Sequence, residues 1–346
     1  MRLGRFSPVA GALLTLACVR HQQSGPSVLK AVPPGQRVAF TDVAFFDGAV
    51  YAASTAGLLE FRDGRLKSCL QWNPKDPVIE SLWVSPDGKE LWLKPAAGLS
   101  LTRLSDGRWE STAIPSPKAG YYTRGDALEG FRGIGDDHDW WLVGGGHAWR
   151  RDGQGRSWVD ERVPSSGRLL GFARVSGLTF ALVRHELLPM LGSDRSDFQS
   201  DTVEARDPEW RAIPQPGIRF LASYPTKSVA VTPGAMFIRT EKGELLRATS
   251  RVLEKVPAPG GCDAMTATTN GELLGSFGDQ GVAVLREHWI RLFDRPDSAE
   301  WKTWGFREVS ISEHGGAIAW AAYVGSAPGS LWIWREQVLT RLWPSP

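Results

Sequence analysis

The stretch SLWVSPDGKELWLKPAAGLSLTRLSDGRWESTAIP, residues 81–115, decides the fold. It divides into four short runs separated by turn residues: Ser81–Ser85, Leu91–Leu93, Leu99–Leu104 and Arg108–Ile114. Asp87-Gly88 separates the first two, Gly98 the middle pair, and Asp106-Gly107 the last two. Asp-Gly between apolar runs is the strongest short hairpin signal, because such residues accept the positive φ that a right-twisted hairpin demands. The segment therefore predicts a four-stranded antiparallel meander.

The rest of the chain repeats that unit. With the first hairpin turn as a marker, the repeat recurs at Asp47-Gly48, Asp87-Gly88, His138-Asp139, Ser176-Gly177, Pro233-Gly234, Asn270-Gly271 and Gly315-Gly316. A period of this length is the signature of a repeat architecture. Gly57, Gly98, Gly281 and Gly329 mark the second turn in four of the units. Two units are irregular. The fourth carries a polar stretch, Ser193 to Asp201, read as lying between its third and fourth strands, and Arg219 to Tyr224 is an additional apolar segment before the fifth.

The second strands decide between β architectures. They are apolar at consecutive positions, as in Leu91-Trp92-Leu93, Trp140-Trp141-Leu142-Val143, Phe180-Ala181-Leu182-Val183 and Ala319-Trp320-Ala321-Ala322. A half-exposed antiparallel strand alternates apolar and polar, whereas a continuous run means that both faces of the sheet are covered. A sandwich covers one face of each sheet, and a propeller covers both, because every blade packs between two others. The expected fold is all-β, a seven-bladed β-propeller of four-stranded antiparallel meanders, with six or eight blades left as alternatives by the two irregular units. The last unit is complete through Gln337–Trp343, so the N-terminus is not required to finish it, although residues 37–40 could.

Composition fits this reading. The 346 residues hold 38 Gly and 23 Pro, as many turns require, and no stretch sustains helical periodicity. Forty basic residues face 38 acidic ones without a long basic run, so no nucleic-acid partner is expected.

The N-terminus has its own logic. Arg2 and Arg5 precede an apolar stretch, Val9 to Ala17, too short to span a bilayer. With Leu14-Thr15-Leu16-Ala17-Cys18 it resembles a bacterial lipoprotein signal, in which the Cys receives lipid and becomes the new N-terminus; Thr15 stands where that family usually carries Leu. The resemblance implies residues 1–18 as signal with lipidation at Cys18, residues 19–36 as a flexible tether, and 37–346 as the propeller. It also implies export, and, with Val at position 19, the outer membrane of a Gram-negative host, the lipid being the only membrane contact. Of the remaining cysteines, Cys69 falls on an outer strand of the first unit and Cys262 at an inner strand of the sixth, too far apart in that register for a disulfide. Both are expected to be buried thiols.

The units also resemble the propeller repeats of extracytoplasmic sensor domains in two-component regulators. Ser85-Pro86-Asp87-Gly88-Lys89 looks like a TolB-type turn, and Arg151–Trp158 is similar to the Asp-box of sialidase-like propellers, with Gly155, Ser157 and Trp158 matching and Arg151 and Gly153 departing. These motifs close turns and anchor blades; they imply architecture and no activity.

Few residues form a constellation that could carry chemistry. Asp136-Asp137-His138-Asp139 is the densest polar cluster, read as a solvated first turn, with cation binding as the alternative. No His pairs with Cys or another His at metal-ligand spacing, and no Ser/His/Asp set is legible, so no cofactor and no metal are expected. Most Trp side chains read as blade packing. Trp83, on an axis-proximal strand, and Trp304, in a connection between blades, are the aromatic candidates for contact with a ligand, with Asp136, Asp137 and His138 as the polar ones. The expected function is a protein-binding or scaffolding module anchored in the cell envelope by lipid. The rivals are a carbohydrate-active hydrolase or lyase using the central channel, and a ligand-sensing module for a membrane partner, so small molecules and glycans stay open as ligands. Replacing Cys18 by Ser should move the protein from the membrane to the soluble fraction of lysed host cells; unchanged sedimentation with membranes would remove the lipid anchor.

Overall fold

The computed structural model describes residues 29–31, 38–69, 78–85, 87–95, 100–113, 132–135, 140–144, 147–151, 158–161, 168–175, 177–186, 199–206, 209–213, 229–249, 252–295, 308–324 and 327–343. They form seven antiparallel sheets, one per predicted unit. Blade one holds β1 (Leu29–Ala31), β2 (Phe40–Phe46), β3 (Ala49–Ser54), β4 (Gly57–Arg62) and β5 (Arg65–Cys69). Blade two holds β6 (Ile79–Val84), β7 (Leu91–Pro95), β8 (Ser100–Ser105) and β9 (Arg108–Ala113). Blade three holds β10 (Arg132–Gly135), β11 (Trp140–Gly144), β12 (His147–Arg151) and β13 (Trp158–Asp160). Blade four holds β14 (Arg168–Val175), β15 (Leu178–Glu186), β16 (Gln199–Arg206) and β17 (Trp210–Ala212). Blade five holds β18 (Val229–Thr232), β19 (Ala235–Arg239), β20 (Leu245–Ala248) and β21 (Leu253–Val256). Blade six holds β22 (Ala264–Ala267), β23 (Leu273–Ser276), β24 (Val282–Leu285) and β25 (Trp289–Phe293), and blade seven holds β26 (Glu308–His314), β27 (Ala317–Val324), β28 (Ala327–Arg335) and β29 (Val338–Trp343). Among the described residues the one helical element is a 3-10 turn at Gly278–Gln280.

The first strands touch in cyclic order, from β2 through β6, β10, β14, β18 and β22 to β26, and β26 meets β2. This is a seven-bladed propeller. The hairpin chemistry is the predicted one: Asp47 and Gly48 have φ of 47° and 71°, a conformation that Gly adopts freely and Asp tolerates. Burial is greatest on the second strands and falls outward from them. All six residues of β3 and all five of β7 are buried, while four of the six residues of β9 are exposed. Continuous apolar runs occur where two neighbouring blades cover the sheet.

Two readings need correction. The polar stretch that begins at Ser193 precedes the third strand of blade four instead of following it, and its last three residues belong to that strand: β15 ends at Glu186 and β16 begins at Gln199. The true third strand opens on four polar residues, Gln199 to Thr202, so its sequence reads as connection. The other concerns the edge of blade one. Leu29–Ala31, inside the stretch read as a tether, pairs antiparallel with β5 as a fifth, outermost strand.

Among the described residues blade seven draws all four strands from the C-terminal part of the chain, and no shared sheet locks the ring where it closes. Side chains and a close backbone approach do so instead. The Gly329 N–H donates to the Val38 carbonyl at 2.7 Å, and a Cβ at Gly329 would lie 2.8 Å from both that oxygen and the Phe40 ring. Val38, Phe40, Val43 and Val50 pack on Ala319, Leu331, Leu342 and Trp343. A bulge between Phe40 and Asp42 leaves Thr41 out of the ladder and shifts the register, so that Asp42 pairs with Ala53. Its carboxylate, 2% exposed, accepts the Ser310 hydroxyl of blade seven, and its other oxygen accepts the Leu82 N–H of blade two at 2.9 Å. One side chain thus joins three consecutive blades. Asp42→Ala should lower the unfolding free energy by about 2–4 kcal/mol, because it leaves a buried hydroxyl and a buried N–H without their acceptor; urea titration measures this, and a loss below about 0.5 kcal/mol would deny the staple its role.

Candidate functional site

Strand register places cross-strand partners on the same face of a blade. The row nearest the first turn that faces the preceding blade can therefore be compared around the ring. In blade one it is Phe45–Val50–Phe61–Leu66, in blade two Val84–Leu91–Leu104–Trp109, in blade five Val231–Met236–Ala248–Leu253, and in blade six Ala267–Leu273–Leu285–Trp289. These four rows are apolar and seal the interface. In blade four the row is Arg174–Thr179–Arg206–Trp210.

Charged residues at this level elsewhere meet complementary groups on the preceding blade. Arg151 of blade three pairs with the Glu90 carboxylate of blade two and lies over the Trp92 ring at 5.2 Å. Glu313 of blade seven accepts the Thr269 N–H of blade six at 2.6 Å. The row that faces blade four from blade three is Ile134–Trp141–Arg150–Val159, which brings a third guanidinium rather than a carboxylate.

The interface opens there into a cleft of about 290 Å³, lined by Trp141, Arg150, Glu161, Phe172, Arg174, Thr179 and Arg206. Its floor is aromatic: Trp141 meets Phe172 edge-on at 5.4 Å, and Phe172 meets Trp210 at 6.2 Å. The Arg206 guanidinium lies over the Trp210 ring at 5.4 Å, which fixes its plane. Arg150 donates to Glu161 at 2.6 Å, the one acid among the lining residues. Glu204 stands one row further in and is 8% exposed. Trp141 is 3% exposed and its indole N–H has no hydrogen-bond partner among the described residues. The guanidinium groups at the cleft suit a ligand with oxygen acceptors, while the buried rings beneath them serve packing.

Of the residues singled out from sequence as contacts, Trp83 alone falls among the described residues. Trp83 is 3% exposed and stacks on Trp92 at 6.2 Å within the packing between blades two and three. Trp304, Asp136, Asp137, His138 and Cys18 lie outside the described residues. Trp92, Trp141 and Trp320 are blade packing, as expected. The cleft arginines escaped sequence reading. Arg174 could have been found by aligning GFARV with SVAVT on the first turn, which sets it against Val231; Arg206 could not, because the insertion in blade four hides the register of β16.

Two buried ion pairs have structural surroundings. Lys94, wholly buried, donates to Glu80 and to the Pro95 carbonyl. Arg295 donates to Asp263 at 3.0 Å and lies over the Trp320 ring at 5.5 Å. Among the described residues no three His, Cys, Asp or Glu side chains are placed to hold a metal ion, and no helix is long and apolar enough to cross a membrane.

No protein-family model and no curated protein matches the sequence. Solved structures match in fold. The β-propeller domain of the trilobed protease from Pyrococcus furiosus, described as having an open velcro topology, matches with TM-score 0.57 and 11% identity over 90% of this chain and 100% of that one. The extracellular domain of a putative one-component system from B. thetaiotaomicron matches with TM-score 0.51 and 12% identity over 88% of this chain and 40% of that one. YCF48 bound to a D1 peptide matches with TM-score 0.52 and 15% identity over 88% and 96%. These likenesses establish the propeller architecture.

Cys69 and Cys262 are buried and free, as expected. Burial, with the Glu60 carboxylate beside it, pushes the Cys69 thiol up to about 12, and burial pushes Cys262 up to about 12. Near pH 8 about one such thiol in ten thousand is ionised, so neither serves as a nucleophile. Native protein should leave both unlabelled by a thiol-specific disulfide reagent at that pH, and concentrated guanidinium should release both; rapid native labelling of either would contradict the burial.

Proposed function

We propose that the chain is a lipid-anchored, extracytoplasmic propeller that binds a protein partner in the bacterial cell envelope. The observation that carries this reading is the break in the repeat at blade four. A row that is apolar in four other blades carries two arginines and a threonine here, and the facing row adds a third arginine. Apolar residues there would close the interface, so keeping charge at that level forgoes packing that the rest of the ring uses. A local departure of that kind marks a binding site more readily than a packing solution. The lipoprotein-like N-terminus supports placement in the envelope, and a peptide complex of a propeller of similar fold supports a polypeptide as ligand. Fold alone does not assign the role, and the cleft is what supports it.

The test is affinity capture from gently solubilised host envelopes, with the full-length protein and its Arg174→Glu/Arg206→Glu variant as baits. Wild type should retain a partner near stoichiometry and the variant at least about tenfold less. Equal recovery by both would displace the cleft from this role, and no specific partner for wild type would overturn the protein-binding reading.

A further inference from the structure

Resting on the protein-binding reading, we infer that the turn-end seam between blades seven and one receives a second contact from the partner: an apolar side chain set against Phe45, Phe61 and Leu66, with a neighbouring carboxylate on Arg335. Phe45, Phe61 and Leu66 belong to blade one's row toward blade seven and are half-buried, whereas the third-strand residues of this row in blades two and five, Leu104 and Ala248, are buried. The reason lies on the opposite wall. Ile333 of blade seven packs on the same cluster, and strand alternation carries that face outward to Arg335, which pairs across the hairpin with Val338. Arg335 is exposed and Val338 is 63% exposed, so this wall leaves the two phenylalanines partly open. At the axial end the His314 ring lies 6.4 Å from that of Phe45.

Charge and backbone strain point to the same place. Arg335 has no ion-pair partner among the described residues, and Glu336, next in the chain, forms no pair with it. The acids of the adjoining turns are taken: Asp47 is held by Arg62, and Glu313 accepts the Thr269 and Gly316 N–H groups. An unpaired arginine beside half-exposed rings matches an acid next to an apolar side chain. The turn itself is strained. Glu336 and Gln337 have φ of 51° and 64°, where blades one and two use Asp63-Gly64 and Asp106-Gly107. A Cβ at Gly64 or Gly107 would meet nothing within 4 Å, so a side chain at that position of the turn stands in open space and packs on nothing. Glycine is therefore the less strained choice at 337, and glutamine keeps an amide there that no group among the described residues uses. A side chain held against backbone preference, beside an exposed valine and an unpaired arginine, has the character of a contact surface.

The experiment is calorimetric titration of the purified full-length protein with blocked peptides that place Leu, Phe or Trp beside Glu or Asp, each run against its Gln or Asn counterpart. At least one acidic peptide should bind saturably, its amide counterpart at least about tenfold more weakly, and its affinity should fall with added salt. Arg335→Glu and Val338→Glu, both at exposed positions, should each weaken it at least about tenfold and leave the unfolding midpoint unchanged. Val252→Glu is the control, because Val252 is 53% exposed and closes the same hairpin of blade five, where Thr249 stands in place of Arg335; it should bind as wild type does. Gln337→Gly should raise the unfolding midpoint and lower the affinity at least about threefold; unchanged affinity would deny Gln337 its place in the contact. Binding that survives both Arg335→Glu and Val338→Glu, an equal loss in Val252→Glu, or failure of the whole set would overturn the inference. So would self-association that Val338→Glu abolishes, since the occupant would then be a second copy. If the peptides fail while Arg174→Glu/Arg206→Glu still lowers partner capture, the seam assignment falls and the protein-binding reading stands. If capture fails as well, both fall.

Discussion

Seven wedge-shaped sheets around an axis must close on themselves, and everything else in the molecule depends on that closure. Here no blade is shared between the two ends of the chain. The join is made by a buried carboxylate, a glycine close contact and an apolar seam. Asp42 hydrogen-bonds across two boundaries at once, to Ser310 behind it and to the Leu82 N–H ahead. The strand geometry supports it: Phe45 donates its N–H to the Ser312 hydroxyl at 3.4 Å, and the Thr41 hydroxyl donates to the Ile79 carbonyl at 2.5 Å. These bonds lie on the innermost strands, where the blades are nearest each other and a polar link spans the smallest gap. The apolar cluster of Val38, Phe40 and Trp343 then fills the seam further out.

Much of this was legible in the sequence because turn chemistry and burial leave separate marks. Asp47-Gly48 and its counterparts gave the count of units, since a left-handed turn admits few residue types. Leu91-Trp92-Leu93 showed that a second strand is covered on both faces. What the sequence hid is register beyond the first hairpin. In blade four the chain between Glu186 and Gln199 shifts the third strand far from its expected place, and β16 is too polar to advertise itself. The cleft depends on that register, because Arg206 acquires meaning only when it is set beside Thr179 and Arg174 on one face. The outer strand β1 was hidden for a different reason: Leu29–Ala31 sits among Pro, Gly and polar residues and has no turn linking it to its partner.

The contrast between rows is a contrast between two uses of one position. In blade five Val231 and Met236 stay dry and hold the ring together. In blade four the same level carries charge, and the aromatic rings Trp141, Phe172 and Trp210 continue the packing just beneath it. Packing and charge are thus stacked within a single interface, the first nearer the sheet interior and the second at the turn end. A propeller tolerates such a substitution because each of its interfaces is nearly independent of the others.

The fifth strand of blade one has a geometric consequence. By pairing with β5, Leu29–Ala31 fixes the path of the chain along the outer circumference. The outward edge of β5 is thereby paired rather than open, so its backbone N–H and C=O groups are not left as a template on which a strand of another chain could add.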